Sequence, residues 1–242
     1  MNILAIDIGG SKLKVLATGQ SEPRRARSGR RLGPARMVEL VRSLAEGWEY
    51  DAVSIGYPGP TGDAGPRSEP GNLGYGWVGF DYAAAFERPV KIINDAAMQA
   101  LGSYEGGRML FLGFGTGLGS ALIAENVIVP LELGDLPYRK GLSLGDVLGR
   151  QGLERLGRRA WSRAVRRLIP PLIAAFAVDY IVVGGGNAKR LGLLPHGVRR
   201  GHNLTAFRGG FRLWGVEDVP THSPDGGHAP LKPPESLPWR LI

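Results

Sequence analysis

The positions of the glycines constrain this chain more than any other feature. Three times an apolar, strand-like run meets a glycine cluster: Asn2 to Ile8 before Gly9-Gly10, Met109 to Phe114 entering Gly113-Phe114-Gly115-Thr116-Gly117-Leu118-Gly119, and Tyr180 to Val183 before Gly184-Gly185-Gly186-Asn187. After the first two clusters a second strand-like run follows at once, Leu13 to Thr18 and Ser120 to Ala124, so each reads as a hairpin turned on glycine. Helical and strand patterns then alternate in each half. That arrangement predicts an α/β protein with mixed sheets, built as two similar lobes facing a cleft.

Glycine in this quantity demands a check for disorder. The 38 glycines and 18 prolines make up nearly a quarter of the 242 residues, against about an eighth in an average protein. Yet 43% of residues are hydrophobic and only 21% charged, and the apolar residues gather into runs, so the chain is expected to fold. No three-residue glycine period exists, which excludes collagen. With no cysteine there is no disulfide scaffold, no thiol nucleophile and no cysteine-ligated zinc. Histidine appears only at 196, 202, 222 and 228, so no histidine site is expected earlier.

Between the glycine clusters, Arg24 to Arg31 reads as a third, solvent-facing strand. Pro34 opens a helix with Met37, Val38, Leu40, Val41 and Leu44 on one face, and Ala52 to Tyr57 is a further strand. The stretch PGPTGDAGPRSEPGNLGYGW then marks a long loop, and long loops in compact domains tend to be functional or disordered. Val90 to Ile93 runs directly into the helical NDAAMQALGSY, while Leu144 to Leu148 and Leu153 to Leu172 read as helices. The third glycine cluster is expected to precede another helix. Residues 1–95 and 96–214 form the expected lobes, and 215–242, rich in Pro and Gly without periodicity, a poorly ordered tail.

Phosphoryl transfer needs donors around the phosphates, a metal to offset charge and a base for the attacking hydroxyl. Asp7 ends a buried strand just before Gly9, Gly10 and Ser11, placing a carboxylate for Mg²⁺, directly or through water, beside backbone that an anion can approach. Lys14 adds positive charge. Gly115, Thr116 and Gly117 offer a second cradle with a hydroxyl, and Gly184, Gly185, Gly186 and Asn187 bare backbone for a nucleotide's sugar and base. Asn94-Asp95 falls where a strand becomes a helix; a helix N-cap explains the pair in isolation, and its place between two phosphate turns favours Asp95 as a base. No GxxxxGK[ST] occurs, and Gly74, Gly76 and Gly79 match GxGxxG without a preceding strand, so neither a P-loop nor a dinucleotide site is expected.

In this order, DIGGSKLK, SIGYPGPT, KIINDAAMQALG, LGFGTGLGSAL, LELGD and VVGGGNAK resemble the ROK family of sugar kinases in the actin-like ATPase superfamily. With RKGLSLGDVLGR, GLERLGRRAW and TAFRGGFRLW, the resemblance reaches residue 214 and is closest to the polyphosphate-glucokinase-like branch. It implies the two-lobed actin-like, ribonuclease H-like fold. It also implies transfer of a phosphoryl group from ATP or polyphosphate to the 6-hydroxyl of a sugar, glucose first among them, with Mg²⁺. Matched residue by residue, Asp95 takes the place of the catalytic base, Asp7 with Gly9 to Ser11 the first phosphate and metal motif, Gly115 to Gly117 the second, and Gly184 to Gly186 the adenosine motif. Asn94 and Glu132 match sugar ligands, and the loop at Asn72 resembles the segment that closes over the sugar.

Two departures follow. Where the family has ExGH this chain has Glu132-Leu133-Gly134-Asp135, so Asp135 replaces a sugar-contacting histidine with a group that, ionised, only accepts hydrogen bonds. That substitution motivates an alternative reading, a catalytically weak sugar- or nucleotide-binding protein of the same fold. The family's cysteine-rich zinc motif is absent, so no zinc is expected.

The start MNILAIDIGG lacks a basic leader, and the apolar stretch 168–183 is broken by Pro170, Pro171 and Asp179. The expectation is a cytoplasmic protein with no membrane partner. A net charge of +8, mostly arginine, would suit phosphate-rich ligands, but an ordinary soluble protein of an arginine-rich proteome explains it more simply. With the phosphate motif at residue 7 leaving no helix-turn-helix, no nucleic-acid partner is expected; a homodimer is compatible with the resemblance.

Overall fold

The structure, a computed structural model, describes residues 1–139, 141–202, 204–217 and 239–242. The elements of the first half are β1 (Ile3–Ile8), β2 (Lys12–Ala17), β3 (Arg24–Arg27), α1 (Pro34–Leu44), β4 (Ala52–Tyr57), β5 (Thr61–Gly62), β6 (Gly65–Pro66), α2 (Tyr82–Phe86), β7 (Val90–Asn94) and α3 (Asp95–Ser103). There follow β8 (Met109–Phe114), β9 (Leu118–Ala124), β10 (Val127–Leu131), β11 (Pro137–Arg139), β12 (Leu142–Ser143), α4 (Leu144–Leu148), α5 (Arg150–Phe176), β13 (Tyr180–Gly184), β14 (Val198–Arg200), α6 (Thr205–Arg212) and β15 (Arg240–Leu241).

Two larger sheets carry the fold, ordered β3-β2-β1-β4-β7 and β14-β13-β8-β9-β10-β15. Both repeat one plan. A first strand, β1 or β8, is flanked on one side by two antiparallel strands reached through hairpins and on the other by two parallel strands. The duplicated glycine-turned hairpin read from sequence is therefore the seed of a duplicated sheet.

β1 is buried at every position, as a strand covered on both faces must be. Leu4, Ile6 and Ile8 pack with Leu13, Val15 and the α1 residues Met37, Val38 and Val41. On the opposite face Ile3, Ala5, Leu16 and Ala52 meet Phe207 and Phe211 of α6. In the second sheet Leu110, Leu112, Phe114, Ile181 and Val183 pack against Trp161, Val165, Ile169 and Leu172 of α5.

The chain divides into two compact units, the described parts of Met1–Gly102 with Leu204–Gly226, and of Ser103–Asn203 with Gly227–Ile242. The expected lobes were 1–95 and 96–214; in the structure α3 stays with the sheet that launches it, and α6 returns to the first sheet. Burying Phe207 and Phe211 completely supplies on the order of 3–6 kcal/mol, enough to decide where an eight-residue helix docks.

Other expectations shift for local reasons. β3 ends at Arg27 because the chain turns there, Leu32 N–H donating to Gly29 O. α5 starts at Arg150, before the expected Leu153, and is interrupted at Gly157, whose φ of 74° is not helical. No α-helix directly follows the third glycine cluster; a single 3-10 turn, Ala188–Arg190, stands there. Of the expected tail, residues 218–238 lie outside the described residues, while Arg240 and Leu241 pair in parallel with Val127 and Ile128. Among the described residues no helix is long and apolar enough to cross a membrane.

Candidate active site

Parallel strands deliver their ligand-binding groups at their carboxyl ends, and in the first unit β1, β4 and β7 end together. Asp7 lies beside Gly56, Gly56 beside Ile93, and Tyr57 beside Asn94. Asp7, Asn94 and Asp95 thus share one sheet edge. Asp7 is buried, at 8% exposure, and its Oδ2 accepts from Lys14 Nζ at 2.7 Å across the hairpin. The turn between them is held by Gly9 N–H donating to Lys12 O and by Ser28 Oγ donating to Gly9 O. Ser11 stands exposed beyond it.

Asn94 is the N-cap of α3. Its Oδ1 accepts from Ala96 and Ala97 N–H at 2.9 and 3.1 Å, and its Nδ2 donates to Gly59 O. Such a cap is worth about 1 kcal/mol. Its geometric effect matters more here, because it fixes Asp95 as the first helical residue, where Oδ1 also accepts from Ala96 N–H. The cap expected of the pair falls to Asn94, and its amide, expected to meet a sugar, also holds Gly59 O through one of its two N–H groups.

The long loop after β4 is anchored rather than loose. Trp77 is fully buried and donates through Nε1 to Gly74 O, Glu69 accepts from the Trp77 and Val78 amides, and Tyr57 OH donates to Ser68 O. Burial, with the Glu69 charge second, pushes the Tyr57 hydroxyl up from its ordinary pKa, so it remains a donor. The anchoring lays Asn72 on the Gly9-Gly10 turn: a Cβ added to Gly10 would stand 2.5 Å from Asn72 Nδ2. Asn72 Oδ1 is buried and accepts no hydrogen bond among the described residues. A buried acceptor left open is costly, and a ligand hydroxyl is a group that would satisfy it.

In the second unit three backbone segments converge. The exposed Thr116-Gly117 tip joins β8 to β9, Arg150 N–H at the start of α5 donates to Gly115 O and Thr116 O, and Asn187 donates from its backbone to Phe114 O and from Nδ2 to Gly115 O. Gly184 lies level with Gly113, so the second and third clusters adjoin at the carboxyl ends of β8 and β13. Gly185 takes a φ of 78°, and a Cβ there would stand 2.7 Å from Phe114 O. Gly186 has open space around it. Asn187, read from sequence as a nucleotide contact, ties the two turns together.

Glu132 precedes and Asp135 closes a 3-10 turn, Leu133–Asp135, pinned where Leu133 N–H donates to Ser120 Oγ. Desolvation, and secondly the Asp135 charge, raise the Glu132 carboxyl above its ordinary pKa. The substitution seen in the sequence therefore acts on its neighbour. Nothing in the local sequence signalled the Asn72 contact, the Arg150 amide or the Ser54 hydroxyl, which donates to Gly210 O and accepts from Trp214 Nε1; all are long-range.

No cluster of three or more metal-ligating side chains occurs among the described residues. Mg²⁺ needs less, since one or two carboxylates suffice where waters and substrate phosphates complete the shell. Asp7 fits that requirement.

No family model matches the chain. Polyphosphate glucokinases of Mycobacterium leprae (strain TN) and Mycobacterium tuberculosis are each 27% identical to it over 217 residues. The match covers 76% of this chain, with 63% of the M. leprae protein and 77% of the M. tuberculosis protein, so the chain spans less than two thirds of the former. The inorganic polyphosphate/ATP-glucomannokinase of Arthrobacter sp. strain KM superposes with a TM-score of 0.73 at 24% identity, covering 86% of this chain and 96% of that one. This is the ROK sugar-kinase fold. The ROK hexokinase of Thermus thermophilus agrees with a TM-score of 0.64 at 21% identity over 86% of this chain and 96% of its own. The α/β architecture of this chain, with its mixed sheets, is consistent with that fold.

Proposed function

We propose that the protein is a hexose kinase that transfers a phosphoryl group from ATP or polyphosphate to the 6-hydroxyl of a sugar, glucose first among the acceptors. The observation that carries the reading is the placement of Asp95 by the Asn94 cap, on the sheet edge that also holds Asp7. The sequence likeness to polyphosphate glucokinases supports it.

In this reading Asp95 accepts the proton of the sugar hydroxyl as the oxygen–phosphorus bond forms. The bond from that phosphorus to its donor oxygen breaks, and ADP or a shortened polyphosphate leaves. Asn72 orients the sugar through its open Oδ1, with Glu132 and Asp135 as further hydroxyl partners, while Asn94 serves by fixing Asp95. Gly9, Gly10, Ser11 and Lys14 in the first unit, and Gly115, Thr116 and Gly117 in the second, receive phosphates. Gly184, Gly185 and Gly186 leave room for a nucleoside. Asp7 would hold Mg²⁺, directly or through water, which would offset negative charge on the donor phosphates.

The test is a matrix of donors and hexoses assayed with Mg²⁺, run beside Asp95→Asn. A general base contributes about 10²–10⁴ in rate, so D95N should lose that much turnover and keep its sugar affinity by calorimetry. If the parent protein turns over no hexose with either donor yet binds sugar saturably, the reading fails and a sugar-binding protein of the same fold takes its place.

A further inference from the structure

The edge of the first sheet carries a charge pattern that folding does not require. Cross-strand partners lie on one face of a sheet, as do residues two apart along a strand. In the hairpin and its edge strand Asp7 is opposite Lys14, Lys14 is opposite Arg25, and Lys12 is opposite Arg27. Lys12, Lys14, Arg25 and Arg27 therefore stand on a single face with one carboxylate among them, and that carboxylate is engaged by Lys14. Among the described residues Lys12, Arg25 and Arg27 make no ion pair. Like charges directly opposite each other are destabilising, and this strand pair tolerates two such oppositions.

Structural explanations cover only part of the pattern. Arg24 points to the other face, donates to Leu44 O and Glu46 O, and stacks over Trp48 with its guanidinium carbon 4.0 Å from the ring centre, so it caps α1. Arg25 and Arg27 are exposed and have no such contacts. Edge strands gain protection from charge, but acidic residues at 25 and 27 would guard the edge equally and pair with Lys14 and Lys12. The end of β3 is also tied to the phosphate turn, Ser28 donating through Oγ to Gly9 O at 2.5 Å and through N–H to Ser11 O at 3.3 Å. The cationic face thus runs without interruption into Gly9-Gly10-Ser11.

We infer that Lys12, Arg25 and Arg27 form a binding surface for the distal part of a long, linear polyphosphate whose reacting end lies at the Gly9–Ser11 turn. The inference rests on the phosphoryl-transfer reading for its orientation. A donor with a regular row of negative charges offsets both like-charge oppositions at once, whereas the three phosphates of ATP end at the turn. The surface therefore favours long polyphosphate over short donors without touching the acceptor.

The test uses the whole chain with Arg25→Gln/Arg27→Gln and, as a charge-retaining control, Arg25→Lys/Arg27→Lys. Both positions are exposed, and circular dichroism checks that each variant folds. The KM for long-chain polyphosphate should rise about tenfold in the glutamine variant, as expected for two surface contacts of several tenths of a kcal/mol each. The KM values for ATP and tripolyphosphate should stay at the parent level, and the lysine variant should keep the parent's preference. In direct binding of fluorescently labelled long-chain polyphosphate, the salt slope should fall by about one per cation removed. An unchanged polyphosphate KM and salt slope, or an equal rise for ATP, would overturn the inference. So would single-stranded DNA competing as well as polyphosphate at equal charge, which would make the face a nucleic-acid surface. If the parent transfers no phosphoryl group, the kinase reading fails on its own account; the binding measurement then decides the surface, its loss in the glutamine variant supporting it and its retention refuting it.

Discussion

Two adjacent glycines of the third cluster should respond very differently to alanine. Gly185 holds a φ of 78°, and its added Cβ would sit 2.7 Å from Phe114 O and 2.8 Å from Phe114 C and N. Left-handed backbone costs a non-glycine residue about 1–2 kcal/mol. The contact adds an overpacking cost of about 1–3 kcal/mol, because the atoms struck are backbone of β8 and have no rotamer to change. Phe114 is itself fully buried and meets Trp161 edge-on at 5.5 Å, so β8 has little room to retreat. The sum is roughly 2–5 kcal/mol for Gly185→Ala. Gly186→Ala meets nothing within 4 Å and has no positive φ; its cost should stay within about 0.5 kcal/mol, as for an ordinary surface change. Urea unfolding of both variants, followed by far-ultraviolet circular dichroism, reads the difference. Because Asn187 ties this loop to Gly115, Gly185→Ala should also raise the donor KM and leave the sugar KM alone. A Gly185→Ala protein as stable as Gly186→Ala would refute the claim that close approach to β8 demands glycine.

Two further outcomes test the site's supports. Asn94→Ala removes the α3 cap and should cost about 0.5–2 kcal/mol in unfolding free energy, with a fall in kcat larger than any change in sugar KM; Asn94→Asp, which still caps, should recover most of it. Glu132 has a raised folded-state pKa, so the folded protein binds more protons than the unfolded chain between the ordinary and raised values, and stability declines as pH rises through that window. Glu132→Gln should flatten this decline in thermal melts recorded from acid to neutral pH. It should gain stability relative to the parent at neutral pH and lose that advantage below the ordinary carboxylate range.

Much of the fold was legible because the signals were local. A strand buried on both faces reads as a continuous apolar run, and a glycine turn with a second run after it reads as a hairpin, so β1, β2, β8, β9 and β13 emerged near their observed bounds. β10 went unread because Val127–Leu131 carries a proline and is only partly buried. The helix expected after Gly184 is absent because Asn187 and the Phe114 carbonyl redirect the chain into one 3-10 turn. At the candidate site, the sequence singled out Asp7, Asn94 and Asp95 by their places at strand ends. It offered a helix cap for the Asn94-Asp95 pair without saying which residue caps, and it did not say that Lys14 would cover Asp7 or that Asn72 would lie on Gly10.

Residue order alone thus determined the elements, the duplicated hairpin plan and the positions of the glycine turns, since each depends on periodicity and backbone freedom over a few neighbours. Tertiary structure decided which residues answer one another across distance. The return of α6 to the first sheet is settled by Phe207 and Phe211 finding a buried face more than a hundred residues upstream. The cationic face of Lys12, Lys14, Arg25 and Arg27 exists only because strand register sets them opposite one another. Register and burial are properties of pairs, and no single stretch of sequence contains the pair.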